Sequence, residues 1–218
     1  MGLINCKVEI IKNNFFPSNT YIVINNLTKE SIIIDPGLDK DEIQKKINLL
    51  SIKPVGIIAT HGHFDHVGSA YFFKEKYRIP FYLHEADFKI LKSANFYLKI
   101  ANLENKIKIP EPDFFFKKNK ELLTLAGFSL EIYNFPGHSP GSCCIKIDDF
   151  LFSGDILYKN GLGLPTIPRA DKKLLKQSII MLFKTFNSNI IAFPGHGAQE
   201  FVGLIEQNNN ELKKFLLE

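Results

Sequence analysis

Six consecutive residues, His61-Gly62-His63-Phe64-Asp65-His66, carry three of the chain's six histidines together with an aspartate. They follow the apolar run Val55 to Ala59, which reads as a strand. Three imidazoles and a carboxylate have no purpose in an apolar core, where every polar group needs a partner. A divalent cation of intermediate softness is such a partner, since it takes N and O donors at about 2.0–2.2 Å. A chain with this segment has to fold so that a strand ends there and opens onto a mouth where further donors meet.

Three more places repeat the arrangement of an apolar β-run, a glycine and a donor. They are Phe135-Pro136-Gly137-His138-Ser139, Leu151-Phe152-Ser153-Gly154-Asp155 and Phe193-Pro194-Gly195-His196-Gly197. Glycine before the donor allows a sharp turn or close backbone approach, so each strand can end and present its side chain to a shared site. With the first cluster, His138, Asp155 and His196 supply enough N and O donors for two metals.

The rest of the pattern divides into two β-rich halves. In the first, Lys7 to Ile11, Thr20 to Ile24, Ser31 to Ile34, Val55 to Ala59 and Phe81 to Leu83 read as strands. Asp39 to Leu50 and Ser69 to Tyr77 read as helices, with Asp39 as an N-cap. In the second, Phe128 to Tyr133, Ser142 to Ile147, Phe150 to Phe152 and Asn189 to Phe193 read as strands, and Asp171 to Phe186 and Ala198 to Leu217 as helices. Such halves fit a sandwich of sheets covered by helices on both outer faces, in one domain spanning 1–218. Residues 86–109 are irregularly helical, either a connecting excursion or a lid. His84 reads as structural or supporting, and Asp87, Glu111, Asp148 and Asp149 as cap or turn residues.

Composition excludes several classes. Of 218 residues, 45% are apolar and 23% charged, which suits a globular protein rather than a disordered one. No apolar run approaches the roughly 18 residues of a membrane span. Around Met1 and Gly2 neither a secretory nor a myristoylation signal is read. The net charge of +4 comes from scattered lysines, so no nucleic-acid surface is expected. Cys6, Cys143 and Cys144 are odd in number, and adjacent strand residues point to opposite faces, so reduced thiols and a cytoplasmic location are expected.

The set His61, His63, Asp65, His66, His138, Asp155 and His196, in this order along essentially the whole chain, resembles the metallo-β-lactamase superfamily. The resemblance implies an α+β fold, a four-layer αββα sandwich with a dinuclear metal site at the strand ends. It implies that His61, His63 and His138 hold one ion, that Asp65, His66 and His196 hold the other, and that Asp155 bridges them. Asp35, in Ile34-Asp35-Pro36-Gly37, resembles the family's early aspartate that supports the metal loop without ligating. Two divalent ions, zinc by preference with iron or manganese as alternatives, would lower the pKa of a shared water toward about 7 and polarise a carbonyl. Asp65 would orient that nucleophile or accept its proton, and no Ser or Cys nucleophile is needed.

Pro136-Gly137-His138-Ser139-Pro140-Gly141-Ser142 and Gly154-Asp155-Ile156-Leu157-Tyr158 resemble the glyoxalase II-like branch, hydrolases of glutathione thioesters. In that branch a basic residue follows a Gly-x-Gly after the bridging aspartate; here Gly161-Leu162-Gly163 is followed by Leu164, with Lys159 or Arg169 as substitutes for binding substrate. The expected partner is a small thioester or ester, with no nucleic acid and no membrane; oligomeric state has no signature in these residues. A mononuclear iron persulfide dioxygenase of the same superfamily and a non-catalytic metal-binding scaffold are the alternatives.

Overall fold

Apolar residues two apart set the layering. In β2 (Asn19–Asn25) and β3 (Glu30–Ile34), Tyr21, Val23, Ile32 and Ile34 enter one core, while Ile22, Ile24 and Ile33 enter another. Successive strand side chains point to opposite faces, so a strand apolar at every position is covered on both. Each fully buried Ile adds about 1.5–3 kcal/mol of transfer free energy. These strands therefore lie inside a stack of layers.

The computed structural model describes residues 6–14, 16–104, 106–164 and 166–218. Met1 and Gly2, and with them the reading of the N-terminal signals, lie outside the described residues. One sheet has the order β1 (Cys6–Lys12), β2, β3, β4 (Lys53–Ile58), β5 (Phe81–His84), β6 (Phe114–Phe116). The other runs β12 (Glu200–Phe201), β11 (Ile191–Pro194), β10 (Phe150–Gly154), β9 (Cys143–Ile147), β8 (Phe128–Asn134), β7 (Lys120–Leu125). Between the sheets, Tyr21, Ile34 and Ile58 meet Leu130, Ile145 and Phe152. Outside the first sheet pack Ile43 and Ile47 of α1 (Lys40–Leu50) and Phe73 of α3 (Ala70–Tyr77). Outside the second pack Leu175 and Ile179 of α6 (Lys172–Thr185), Ile205 of α7 (Val202–Asn208) and Leu212 of α8 (Asn210–Leu217). This is the expected α+β, four-layer αββα sandwich.

Two sets of parallel neighbours place the site. β3 pairs with β4 in parallel, and β10 with β11. The chain leaves β4 toward His61, β10 toward Asp155 and β11 toward His196, and the β8–β9 connection carries His138. The donors therefore arise at strand ends of both sheets.

Several local expectations are corrected. Strands β6 and β7 were not anticipated; their apolar residues lie at the sheet margins, and β7 alternates exposed and half-buried positions. The single closing helix expected over Ala198 to Leu217 is β12 followed by α7 and α8, broken at Asn209, whose side chain caps α8 by accepting from Leu212 N at 3.0 Å. Asp39 precedes α1 but its side chain makes no cap; it accepts instead from the backbone N–H of Asn14. Residues 86–109 contain α4 (Phe88–Lys92) and α5 (Ala94–Ile100). Leu98 of α5 and Ala94 pack on Phe64. Cys143 faces the inner core and Cys144 the outer one, as adjacent strand residues must.

Candidate metal centre

The turn after β4 is built on Asp35. Its Oδ1 accepts from Thr60 N at 2.7 Å, and its Oδ2 accepts from Thr60 Oγ1 at 2.7 Å and from His66 Nδ1 at 2.9 Å. Asp35 itself lies at φ 51°, a left-handed conformation costly for a residue with a Cβ. The short helix α2 (Phe64–Val67) then turns Asp65 and His66 toward the site, with His63 as its extended N-cap residue.

Hydrogen bonds orient the imidazoles. A carboxylate only accepts, so His66 must donate from Nδ1, which directs Nε2 into the site. His196 Nδ1 donates to the carbonyl of Pro17 and likewise directs Nε2 inward. Thr60 Oγ1 spends its proton on Asp35, leaving a lone pair for His61 Nδ1 at 3.1 Å. His63 Nδ1 and His138 Nε2 face each other at 3.0 Å.

The Asp155 carboxylate is the hub. It lies 3.9 Å from His61 Nε2, 3.4 Å from His66 Nε2, 3.4 Å from His138 Nε2 and 3.4 Å from His196 Nε2. Asp65 Oδ2 is 3.3 Å from His66 Nε2 and 3.3 Å from His196 Nε2. Direct charge-assisted hydrogen bonds are shorter, about 2.7–2.9 Å. Two ligands at about 2.0–2.2 Å from one tetrahedral ion stand about 3.3–3.6 Å apart. Three groups have mutually close donor atoms: His61, His63 and His138; His61, His66 and Asp155; and Asp65, His66 and His196. All seven residues expected to ligate thus come together.

Whether these residues fit divalent ions is tested by the buried polar atoms. His61 Nε2, His66 Nε2, His138 Nδ1 and Asp155 Oδ1 are buried without a hydrogen-bond partner. Such atoms are costly unless something satisfies them. For His61, His66 and Asp155 the orphaned atom points into the cluster, and the N/O donor set suits Zn, Fe or Mn. Charge agrees. Burial pushes His61 well below its usual pKa and His63 down to about 3, so both are neutral, the form that ligates. Burial opposes charge on Asp65 and Asp155 too, but the adjacent His66 and His196 outweigh it and hold both carboxyls well below the usual range.

Glycine at 195 permits the crowding. A Cβ there would overlap Asp155 Oδ1 and press on His66 Cε1. The His196 turn is fixed from the other sheet, since Asn19 Nδ2 donates to Pro194 O at 2.9 Å and to Gly197 O at 2.9 Å.

Sequence reasoning missed Asp87. Expected as a cap or turn residue, it is fully buried, and burial raises its pKa. It accepts from Gly62 N at 2.9 Å, Ser139 Oγ at 2.6 Å and Gly141 N at 2.6 Å. Its trace in the sequence is its place just past the apolar run Phe81 to Leu83, the position used by His61 and Asp155. His84, by contrast, accepts from Ala86 N at 3.3 Å through Nδ1 and caps the turn Glu85–Asp87.

A cavity of about 560 Å³ adjoins the donors, lined by His63, Asp65, His138, Asp155 and His196 and by Phe16, Phe64, Tyr97, Tyr158 and Leu162. Tyr97, Ile100 and Ala101 show that the 86–109 excursion forms part of its wall. Lys159 pairs with Glu200 at 3.1 Å, and neither it nor Arg169 lines this cavity. A larger groove of about 780 Å³ beside Leu38, Tyr71 and Phe72 contains none of the donors. Burial pushes the thiols up, Cys6 to about 11, so no thiolate is available at neutral pH.

The family model of the metallo-beta-lactamase superfamily matches residues 13–196, from the segment before β2 through the last of the donors. The chain belongs to the metallo-beta-lactamase superfamily. A hydroxyacylglutathione hydrolase GloC of Haemophilus influenzae is 31% identical over 205 residues, covering 93% of this chain and 96% of the relative. A probable metallo-hydrolase YqgX of Bacillus subtilis is 31% identical over 196 residues, 88% and 90% of the two chains. The crystal structure of TTHA1623 in a di-iron-bound form superposes with a TM-score of 0.83 at 28% identity, covering 93% of this chain and 99% of that one. Membership of this superfamily, with the His/Asp groups, supports a hydrolase that uses divalent metal ions. No helix among the described residues is long and apolar enough to cross a membrane.

Proposed function

We propose that this chain is a dinuclear, zinc-preferring hydrolase of small thioesters or esters, glyoxalase II-like in its chemistry and working in the cytoplasm as one domain of residues 1–218. The observation that carries the reading is the position of Asp155, within 3.9 Å of donors from both histidine groups, where a bridging carboxylate would sit. The GloC relative, called a hydroxyacylglutathione hydrolase, supports a thioester.

His61, His63 and His138 would hold one ion, Asp65, His66 and His196 the second, and Asp155 both. The chemistry supplied there is Lewis acidity, which yields a nucleophile from water near neutral pH and polarises a carbonyl. Asp35 keeps His66 in the Nδ1–H tautomer, and Asp65, whose carboxyl stays ionised, would orient the attacking water by accepting its hydrogen bond. Water's oxygen adds to the acyl carbon, the C–S or C–O bond breaks, and the thiol or alcohol leaves with a proton while the acyl group becomes a carboxylate. Phe16, Phe64 and Tyr97 seat the substrate's apolar portion and limit water. Burial and the nearby Asp155 hold the Tyr158 phenol well above its usual pKa, so it stays a hydrogen-bond donor.

Metal analysis of purified protein, followed by assay against thioester, ester, β-lactam and phosphodiester panels, tests this. Two ions per chain and thioester or ester hydrolysis that is lost in His61→Ala and Asp155→Ala are expected. A single iron per chain with oxygen uptake on glutathione persulfide would replace the reading with a dioxygenase.

A further inference from the structure

The cavity has a charge asymmetry that the hydrolytic reading does not use. Phe16, Tyr97, Ile100, Leu162, Leu164 and Ile167 give its walls an apolar character, and Leu164 is 64% exposed. Among the described lining residues there is no Lys or Arg, and the one charged side chain apart from the Asp65/Asp155 and histidine donors is Glu211. Glu211 makes no ion pair among the described residues, whereas Lys159, the nearest basic residue in sequence to the cavity loop, is engaged by Glu200.

The backbone that carries Glu211 is held by a built contact, while its side chain is exposed at the rim of the cavity. Buried Asn209, the N-cap residue of α8, accepts from Gly161 N at 3.0 Å and donates to Gly161 O at 2.8 Å and Tyr158 O at 3.1 Å. The amide thereby fastens the loop after Asp155 to the first turn of α8. Gly161 takes φ 105°, and a Cβ there would stand 2.6 Å from Glu211 Oε2, so glycine leaves the space that the carboxylate occupies. A first-turn glutamate also complements the helix dipole. That role does not depend on what enters the cavity, which is what separates the two.

We propose that Glu211 is a specificity-determining residue, selecting substrates in which an apolar body carries a cationic group over neutral and anionic counterparts. This rests on the hydrolytic reading given above and assigns its substrate class. A negative charge at the exposed rim of an apolar-lined cleft attracts a cation and repels an anion at the end of the substrate remote from the metal donors, most strongly at low ionic strength. A glutathione thioester, with its excess of carboxylates, is then a poor substrate.

The test compares three butyryl thioesters of similar size, those of thiocholine (cationic), N-acetylcysteamine (neutral) and 3-mercaptopropionate (anionic), by thiol release from the metal-loaded enzyme. Calorimetric binding of the matching non-hydrolysable thioethers runs in parallel. In the unmodified protein kcat/KM falls in that order, by about tenfold or more between the extremes, and the thioether affinities follow. Glu211→Gln brings the extremes to within about threefold, and Glu211→Lys reverses the order. Equal turnover of all three, or a preference unchanged by both variants, would overturn the assignment while leaving the hydrolase intact. Binding with the Glu211-dependent preference but no turnover of any thioester would retain the assignment and overturn the hydrolytic reading.

Discussion

The Ser139 hydroxyl donates to the Asp87 carboxylate at 2.6 Å, and through that contact the His138 loop is tied to the loop that begins with His61. Asp87→Ala strands three donors, Gly62 N, Gly141 N and Ser139 Oγ, in a buried place at about 1–3 kcal/mol each. Metal affinity and turnover are expected to fall about 10–100-fold, since loss of such supporting bonds loosens ligand geometry. Titration of the metal-free protein with Zn²⁺ reads this directly, and an unchanged affinity would remove Asp87 from any supporting role.

Stripping the metals should weaken the fold itself. The donors come from both sheets, so ions that bind only the folded chain stabilise it by mass action, about 2.7 kcal/mol at a hundredfold excess over Kd. For a chain of this size that corresponds to a Tm lower by about 5–11 °C after chelation. Differential scanning calorimetry with and without chelator, followed by zinc add-back, measures it; an unchanged Tm would argue against tight occupancy.

Gly195→Ala places a methyl group onto Asp155 Oδ1 and against His66. The Asp155 carboxylate must then swing away from the histidines around it. Metal stoichiometry below two per chain and a loss of activity of at least about 100-fold are expected, read by elemental analysis and thiol release. A fully loaded, active variant would show that the carboxylate has room the structure does not give it.

Away from the site, Lys120, Lys146 and Tyr133 surround Glu131 and pull its carboxyl down to about 2. The unfolded carboxyl titrates near 4.3. A lowered folded pKa gives stability that is present above the unfolded value and lost as pH falls toward the folded one. The Tm gap between the unmodified protein and Glu131→Gln should therefore be constant above about pH 5 and close between about pH 4 and 2. Because Glu131 is only half-buried and its lysine partners are themselves partly exposed, the gap is small and shrinks in high salt. A gap that widens on acidification would reverse the assignment.

The layers and the convergence of seven His and Asp side chains were legible because each rests on a short-range signal. Ile32 to Ile34 announce a strand covered on both faces, and a donor after an apolar run and a glycine announces a strand end. What stayed hidden depends on partners distant in sequence. Asp87 looks like any turn aspartate until Gly62, Ser139 and Gly141 are folded around it. The break at Asn209 was missed because Ala198 to Leu217 keeps helical spacing, while the Asn209 amide answers to Gly161, 48 residues earlier. Lys159 and Arg169 were read as substitutes for the basic residue that the resembling branch carries where this chain has Leu164, and neither lines the cavity, because a side chain's direction is not carried by its sequence position.

The docking of α8 onto the Gly161 loop has a consequence for inheritance. The match to the family model ends at residue 196, with the last of the donors, and Glu211 lies beyond it. The metal-site donors and the residue proposed to select by charge are thus written in different stretches of the gene. A recombination or drift event confined to the tail would retune what the enzyme accepts without touching a single donor, and homologues with identical histidine and aspartate sets need not share a diet.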